Sequence, residues 1–476
     1  MLTLRLRGDA TVEEKSADWF VLSAPEVGQL SFRSLSPGFI AVLHALNNGG
    51  ATEQALENMV LEQDGARRLI PFYQFIGNLA GQSMLSHTVV QDQRSLAGIV
   101  PIARHYRFNS RLIKADQAYL FSRFAYMRQE NGAFVLETPR GYAKVTLLAE
   151  PAFTLLAALA APRSCQDLAT QLNLDEKIVY EFVNLLANAG ALVAVQPGEP
   201  SEETTAVGLA MWDFHDLLFH ARSRQGRHNY GYGGTSRFQG KYPPLPVVKS
   251  YPEAEVIALP RPDVAALCAA DVPFTAALES RRSLRYYNEN APITLEQLGH
   301  FLYRSARIQQ VLETAPDMPD FSLRPYPGGG AAHELNIYPV IGQCDGAPVG
   351  LYYYNPLDHV LHRLTGDNEY VRRLLHVGWV TATRKSQPQV YFGITARFQR
   401  LQWKYESMMY ALILKNLGGL YQTFYLTATA MGLAPCALGG GNSDLFGLAA
   451  GLNYYEESLV GEFVLGSRSP ENPAEW

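Results

Sequence analysis

Residues 324–330 read RPYPGGG, and residues 331–342, AAHELNIYPVIG, follow directly. The two prolines fix the backbone and the three glycines leave it without side chains, as required where main chain approaches a flat ligand closely. A simple turn is the alternative, but a single tight turn rarely needs so much glycine. The residues after the glycines alternate in the manner of a strand. The stretch therefore predicts a ligand-facing loop that leads into a sheet.

Three further segments have compositions that suit a bound anion or a flat ring. Residues 280–285, SRRSLR, gather three guanidinium groups and two hydroxyls, donors that suit a phosphate, although a solvated charged patch is the alternative. Residues 432–441, GLAPCALGGG, close a helix with a second glycine-rich loop. Residues 463–470, FVLGSRSP, form a short apolar strand that ends near Arg468.

A long apolar helix is predicted between these segments, from about residue 404 to residue 431. Lys404 and Tyr405 stand side by side at its start. Gly418 and Gly419 lie in its middle, where glycine costs about 1 kcal/mol relative to alanine. The pair therefore predicts close approach by another helix, a subunit or a cofactor.

The first two hundred residues contain a weak repeat of three helices followed by a strand, which predicts two winged helix-turn-helix units. In the second copy Ser164 and Asp175 are the predicted N-caps and Gly190 the stop. DNA binding is disfavoured because the third helices, 67–81 and 175–190, lack a phosphate-binding character, the first being interrupted by Pro71 and the second opening with acids. A structural module or a peptide-docking module, with the wing edge accepting an extended peptide, is favoured.

Composition excludes several classes of protein. The 476 residues are 47% hydrophobic, and 40 basic against 45 acidic residues leave no dense basic run for nucleic acid or a membrane surface. The four cysteines form no zinc or dithiol motif, and the histidines between residues 213 and 228 do not share a helix face, so no metal is expected. Early charges exclude a signal peptide, and residues 151–162 are too short to span a bilayer. We expect a cytoplasmic protein.

Several stretches together resemble the flavin-dependent nitroreductase fold. They are LLFHARSRQGRHN (217–229), RRSLRYY (281–287), RPYPGGGAAHELNIY (324–338) and the pair at 404–405. The match is closer still to the SagB-type dehydrogenases, the azole-forming branch of that superfamily, and covers about residues 210 to 470. With winged-helix modules ahead of it, the chain looks most like the thiazoline oxidases of cyanobactin pathways, which modify ribosomally made peptides.

The resemblance implies an α+β protein of four parts. Two winged helix-turn-helix modules resembling peptide-recognition elements occupy residues 1–100 and 101–200. A linker and connector occupies 201–264, with a polar linker at 197–206. A nitroreductase-like FMN-binding domain occupies 265–476.

The resemblance also assigns site residues. It implies FMN as the cofactor, a homodimer with two shared FMN sites, and an azoline-containing precursor peptide as the partner. Lys404 and Tyr405 match the Lys-Tyr pair of the azole-forming dehydrogenases and are the expected catalytic residues. The expected FMN contacts are Arg281, Arg282, Ser283, Arg285, Tyr326, Pro327, Gly328, Gly329, Ala437, Leu438, Gly439 and Arg468.

The implied reaction oxidises a thiazoline or oxazoline to a thiazole or oxazole, with proton abstraction at the ring Cα and hydride transfer to flavin N5. The fold alone does not fix the reaction. An NAD(P)H-dependent nitro- or quinone reductase, which needs no Lys-Tyr pair, and a non-catalytic peptide-binding scaffold are the alternatives.

Overall fold

The computed structural model describes residues 1–25, 27–104, 106–196 and 198–470. The chain divides into two compact units, Met1–Tyr232 and a second that begins at Gly233. The predicted connector, 201–264, is therefore split between the units. Both predicted winged-helix modules fall in the first unit. Pro197 of the predicted polar linker and residues 471–476 of the predicted C-terminal domain lie outside the described residues.

The first unit combines eleven strands and nine helices among its described residues. The strands are β1 (Leu2–Leu6), β2 (Thr11–Ser16), β3 (Trp19–Ala24), β4 (Gly28–Arg33), β5 (Leu85–Gln91), β6 (Arg94–Pro101), β7 (Ala118–Phe121), β8 (Tyr126–Glu130), β9 (Ala133–Glu137), β10 (Ala143–Leu147) and β11 (Leu192–Val195). The helices are α1 (Pro37–Asn47), α2 (Glu53–Asp64), α3 (Leu69–Gly81), α4 (Glu150–Ala158), α5 (Cys165–Leu172), α6 (Glu176–Asn188), α7 (Glu202–Thr205), α8 (Val207–Ala210) and α9 (Phe214–Arg222).

The helix, helix, helix, strand order predicted for each repeat is confirmed by α1–α3 with β5 and by α4–α6 with β11. Ser164 and Asp175 cap α5 and α6 by accepting from the Asp167 and Ile178 amides, and Gly190 follows α6 at a φ of 74°. The expected interruption at Pro71 is wrong. Pro71 lies in the first turn of α3, where a missing N–H costs no helical hydrogen bond.

The two repeats share one sheet, which the sequence did not reveal. Its six strands follow the order β1-β5-β6-β10-β9-β8, so the wing of the first repeat pairs with strands that precede the helices of the second. One apolar core packs β1 and β3 with α1–α3, and another packs β5, β6 and β10 with α4–α6. The predicted boundary between the two modules, after residue 100, falls inside β6.

The second unit carries the remaining elements. Its strands are β12 (Gly233–Gly234), β13 (Glu255–Ala258), β14 (Gln310–Leu312), β15 (Phe321–Leu323), β16 (Leu335–Ile341), β17 (Gly350–Asn355), β18 (Val360–Gly366), β19 (Val390–Arg397), β20 (Tyr405–Glu406), β21 (Leu433–Leu438) and β22 (Glu457–Ser467). Its helices are α10 (Val264–Ala270), α11 (Phe274–Ser280), α12 (Leu295–Ala306), α13 (Glu369–Thr381), α14 (Phe398–Gln402), α15 (Met409–Ala430) and α16 (Ser443–Ala450).

A seven-stranded antiparallel sheet, β13-β18-β17-β16-β19-β22-β21, lies at the centre of the second unit. Because side chains alternate along a strand, the sheet buries apolar residues on both faces. One face packs against α12 and α15, and the other packs against α13 and α16. The arrangement confirms the α+β class. One side of α15 is buried against the sheet, whereas Tyr410, Leu414 and Lys415 are exposed.

The helix α15 begins five residues later than predicted, at Met409 instead of Lys404. Lys404 lies in a turn after α14, and Tyr405 lies in β20, which pairs with Gly233 and Gly234. Ser407 has a φ of 61°, a left-handed conformation that separates β20 from the helix. The Lys-Tyr pair is therefore held by a turn and a short strand ahead of α15.

Candidate active site

Three of the predicted cofactor segments meet beside α15. After α11 the chain runs extended from Arg281, and the Leu284 amide donates to the Pro435 carbonyl at 2.8 Å. Two residues after Arg285, Tyr287 forms a β-bridge with Arg468. The arginine segment, the strand β21 that leads into the second glycine loop, and the end of β22 are thus neighbours, although they lie far apart in sequence.

Tyr425 of α15 ties these segments together. Its hydroxyl lies 2.7 Å from Ser283 Oγ and accepts from the Ala437 amide at 2.8 Å. The Arg281 guanidinium carbon lies 5.1 Å from the centre of the Tyr425 ring, a cation–π contact. Sequence reasoning missed Tyr425, because nothing in the sequence distinguishes it from Tyr410 and Tyr421 of the same helix.

The guanidinium groups of this cluster are not neutralised by carboxylates. No ion pair among the described residues includes Arg281, Arg285 or Arg468. Arg285 Nε is buried and has no hydrogen-bond partner within the part of the chain that the structure describes. Burial raises the pKa of the neighbouring Cys436 thiol, so this thiol does not supply an anion. The donors suit an external anion.

Arg282 takes no part in this cluster. Its side chain is exposed, and its guanidinium donates to the Glu279 and Arg281 carbonyls at 2.9 and 2.8 Å. These bonds satisfy carbonyls at the C-terminus of α11. Arg282 therefore caps α11 in this structure, and its FMN contact stays a prediction.

The first glycine loop lies directly against the Lys-Tyr pair. Gly330 has a φ of 60°, and a β-carbon there would collide with the Tyr405 hydroxyl and lie 3.1 Å from Lys404 Nζ. Lys404 is half-buried, with Nζ 5.1 Å from the Phe321 ring centre and 5.4 Å from that of Tyr405. Glycine at this position is what allows the main chain to reach both polar groups.

The other predicted residues of this loop have different surroundings. The Tyr326 side chain is 1% exposed and packs edge-on against His333 in the core, so only its main chain could meet a ligand. Pro327 fits over Gly419, where a β-carbon would lie 3.0 Å from its ring. The predicted close approach at the glycine pair is thus made by Pro327 of the same chain at Gly419, whereas Gly418 faces open space.

The second glycine loop borders a cavity of about 390 Å³. The cavity is lined by Leu417 and Tyr421 of α15, by residues 438–441 and by residues 459–462. Leu438 and Gly439, two predicted ligand contacts, therefore face open volume. The remaining residue of that set, Ala437, donates its amide to Tyr425.

Glu462 is a further residue of this cavity that the sequence analysis missed. It is 3% exposed, and its carboxyl lies beneath Gly441, where a β-carbon would collide with it. Burial raises its pKa to about 7, opposed by the nearby Tyr391 hydroxyl. Neither Glu462 Oε1 nor the Tyr391 hydroxyl completes a hydrogen bond within the described residues. The available signal was an acid between the apolar residues 459–460 and 463–465 of β22.

Trp403, next to the Lys-Tyr pair, forms part of a second, mostly apolar cavity of about 340 Å³. Phe238, Tyr242 and Leu245 complete its apolar wall. Trp403 is 4% exposed and donates Nε1 to the Tyr242 carbonyl at 2.9 Å. The wall is therefore fixed in place beside Lys404.

The described residues contain no group of three or more His, Cys, Asp and Glu side chains arranged to hold a metal ion. No helix of the described residues has the length and apolar character needed to cross a membrane.

Three family models match the chain in succession. The ThcOx helix turn helix domain matches residues 1–110, the cyanobactin oxidase ThcOx model matches residues 119–229, and the nitroreductase family matches residues 278–467. They confirm the predicted order of a helix-turn-helix region before a nitroreductase domain, and the resemblance to cyanobactin oxidases. The chain is an oxidoreductase.

Individual proteins show weaker similarity. The curated protein "Putative nitroreductase MJ1384" of Methanocaldococcus jannaschii is 25% identical over 178 residues, 37% of this chain and 81% of that protein. A chain of the E. coli microcin synthetase McbBCD complex with truncated pro-MccB17 bound is 18% identical, with 58% of this chain and all of that chain covered at a TM-score of 0.34. The NADPH:FMN oxidoreductase of Vibrio harveyi is 12% identical, with 43% and 72% covered at a TM-score of 0.28.

Proposed function

We propose that the chain is an FMN-dependent oxidase that converts azoline rings of a ribosomally made peptide to azoles. The observation that carries the proposal is the contact of Gly330 with the Tyr405 hydroxyl and Lys404 Nζ. This contact places Lys404, the expected proton acceptor, beside the glycine main chain that is expected to approach a flat ligand. The matches to the cyanobactin oxidase and nitroreductase models support the substrate class and the redox chemistry.

The arginine cluster fits the phosphate of FMN. Arg281, Arg285 and Arg468 would hold it, since all three lack carboxylate partners in the described residues and Arg285 Nε is a buried donor without an acceptor. Ser283 adds a hydroxyl beside them. Ala437, Leu438 and Gly439 would border the ring, next to the cavity of about 390 Å³.

Two protein groups would carry out the proton transfer. Lys404 Nζ accepts the proton that leaves the azoline Cα, and the Tyr405 hydroxyl donates a hydrogen bond that orients the ring or relays the proton. When bound, FMN supplies the acceptor for the hydride that leaves the neighbouring ring carbon. General base catalysis of this kind contributes about 10²- to 10⁴-fold to a rate. Trp403 and the apolar wall beside it would exclude water.

A homodimer is part of the proposal. Asn416, which contacts the first glycine loop, and Tyr425, which contacts the arginine cluster, are nine residues apart on α15 and hence separated by roughly 14 Å. A second copy of the chain would bring its own glycine loop to the arginine cluster. Exposed apolar side chains near the N-terminal half of α15 and the loop after α16, Tyr410, Leu414, Tyr454 and Tyr455, support such an interface.

The first unit would bind the precursor peptide. Its six-stranded sheet ends in β1 and β8. Ala51 forms a β-bridge with Leu4 of β1, so β8 is the edge that would take up an extended peptide by β-addition. The match of residues 1–110 to the ThcOx helix turn helix domain supports a role that accompanies the oxidase.

The test is incubation of the purified protein with a thiazoline-containing peptide, followed by mass spectrometry. We expect loss of two hydrogens per ring from the wild type, and no loss with Lys404→Ala although flavin absorbance is retained. Lys415→Ala removes an exposed lysine of α15 and should behave as the wild type. Steady NADPH oxidation with a nitroarene, without change to the peptide, would favour a reductase. A colourless protein that takes up no flavin would favour a scaffold.

A further inference from the structure

A buried polar pair lies behind the first glycine loop. Asn416 of α15 is 6% exposed, and Glu334, the residue before β16, is fully buried. Asn416 Nδ2 donates to both carboxylate oxygens of Glu334, at 3.0 and 3.1 Å. A buried carboxylate that binds an amide with both oxygens is a costly arrangement, and it needs a reason beyond packing.

The pair fixes the orientation of the Asn416 side chain. The amide turns its nitrogen toward both carboxyl oxygens of Glu334, so its oxygen faces away from them. Asn416 Oδ1 then accepts from the Gly329 amide at 3.0 Å. A buried carboxylate thus determines, through one side chain, where the main chain of the glycine loop lies.

The loop held in this way is strained. Gly330, Ala331 and His333 have φ values of 60°, 54° and 42°, and the last two are residues that rarely adopt left-handed backbone. A second clamp lies on the other side, where Arg400 Nε donates to the Ala332 carbonyl at 2.8 Å. Such a conformation persists only where surrounding contacts hold it.

The held segment is the one that contacts the proposed catalytic pair. The Gly329 amide, bound by Asn416, directly precedes Gly330, which lies against the Tyr405 hydroxyl and Lys404 Nζ. A shift of the loop toward Tyr405 would displace that hydroxyl, and a shift away would leave it unsupported.

We propose that Glu334 and Asn416 are positioning residues, which set the Gly329–Gly330 main chain against Tyr405 and Lys404 and so fix the geometry of the proton-accepting pair. The inference rests on the proposed function for its kinetic consequences only. The hydrogen bond from Gly329 to Asn416 is testable in the protein without substrate.

The first measurement is hydrogen exchange of the Gly329 amide, followed by mass spectrometry on peptides that span residues 324–334. We expect Asn416→Leu to speed exchange in these peptides, because the Gly329 N–H loses its acceptor. Glu334→Gln retains an oxygen that can accept from Asn416 and should preserve most of the protection. Thr427→Val, which removes a buried hydroxyl elsewhere on α15, should leave the loop peptides unchanged.

The second measurement is the rate of azoline oxidation. A misplacement of about 1 Å costs about 10²-fold in rate, so we expect kcat of Asn416→Leu to fall about 10²-fold while KM changes little. Glu334→Gln should keep most of the wild-type rate. Because loss of folded protein alone lowers the apparent kcat without changing KM, kcat is expressed per flavin-loaded enzyme, which removes the effect of a purely stabilising residue.

Asn416→Asp adds a pH-dependent readout. Its carboxyl and that of Glu334 must share a proton to remain in place, and the charged groups that face Glu334, Arg324 and Arg400, do not remove the repulsion between two carboxylates. The ratio of its kcat to that of the wild type should fall as pH rises.

The outcomes separate the inference from the proposed function. Wild-type loop exchange in Asn416→Leu, or a kcat equal to that of Thr427→Val, overturns the positioning role. Faster loop exchange in Asn416→Leu, together with a wild type that oxidises no azoline peptide, retains the positioning role and overturns the proposed function.

Discussion

The carboxyl of Glu462 makes the stability of the second unit depend on pH. Its pKa, about 7 in the fold against an ordinary value of 4.5, is raised by burial. A raised pKa means that the folded chain holds a proton which the unfolded chain releases. The stabilising contribution of the protonated carboxyl is therefore complete below pH 4.5 and is lost as pH rises through about 7.

The difference between the ordinary pKa of Glu462, 4.5, and its pKa in the fold, about 7, sets the size of the effect. At about 1.4 kcal/mol for each pH unit, the free energy of unfolding falls by about 3 kcal/mol across this range. In a domain of this size each kcal/mol moves the unfolding midpoint by about 2 to 4 °C. We expect this group alone to lower the midpoint by about 6 to 12 °C between pH 5 and pH 8.

The perturbation that tests this is Glu462→Gln, which removes the titration and keeps the side-chain volume. Differential scanning calorimetry of the full chain at pH 5 and pH 8 measures the midpoint of the transition that belongs to the second unit. The variant should lose most of the pH dependence, whatever its absolute stability. Glu456→Gln, at an exposed position six residues earlier, should retain it.

An equal pH dependence in the wild type and Glu462→Gln would refute the reasoning. A direct check is infrared absorption of the protonated carboxyl group. The wild type should show a carbonyl band that disappears near pH 7, and Glu462→Gln should lack it. A band absent from the wild type at pH 5 would show that the carboxyl is ionised despite its burial.

Three other changes test the proposed site. Gly330→Ala should lower kcat by about 10²-fold with flavin retained, because its β-carbon collides with the Tyr405 hydroxyl at a φ of 60°. The control is Gly418→Ala, at a position that faces open space. It should leave kcat unchanged and raise the free energy of unfolding by about 1 kcal/mol, measured by thermal unfolding. Changing Arg281 and Arg285 together to Gln should reduce flavin occupancy, and an unchanged absorption spectrum would count against the phosphate site. Removal of residues 1–232, the first unit, should weaken binding of a full-length precursor peptide measured by calorimetry, and equal affinity would contradict peptide docking.

The helix, helix, helix, strand order of each repeat was predictable because it depends on local signals, whereas the α+β class and the nitroreductase-like domain were implied by the resemblance to a known family. Proline and glycine at fixed positions, apolar spacing and N-caps such as Ser164 act over a few residues, and the structure retains them. The start of α15 was predicted five residues early because residues 404–408, KYESM, contain no proline or glycine that would end a helix. The pairing of Tyr405 with Gly234, which keeps these residues out of the helix, is a contact across more than 150 positions.

The residues that sequence reasoning missed act through tertiary contacts. Tyr425, Glu462 and the Glu334–Asn416 pair have ordinary local contexts, and their roles arise only when a strand or loop arrives beside them. Glu462 was visible in the sequence as an acid in an apolar strand, but the position of its carboxyl beneath Gly441 was not. Arg282 shows the converse, since its guanidinium suits a phosphate by its chemistry, whereas its contacts with the end of α11 depend on the fold.

The helix α15 connects all parts of the candidate site through its own register. Asn416 holds the Gly329 amide and Gly419 receives Pro327, while the hydroxyls of Tyr421 and Tyr425 accept from the Glu462 and Ala437 amides. Successive residues of a helix are rotated by about 100°, so these positions hold their partners only while the helix keeps its length and turn. The two glycine loops, far apart in sequence, are therefore set relative to each other by one rigid element. Through Gly330, the same element sets the first glycine loop against Lys404 and Tyr405.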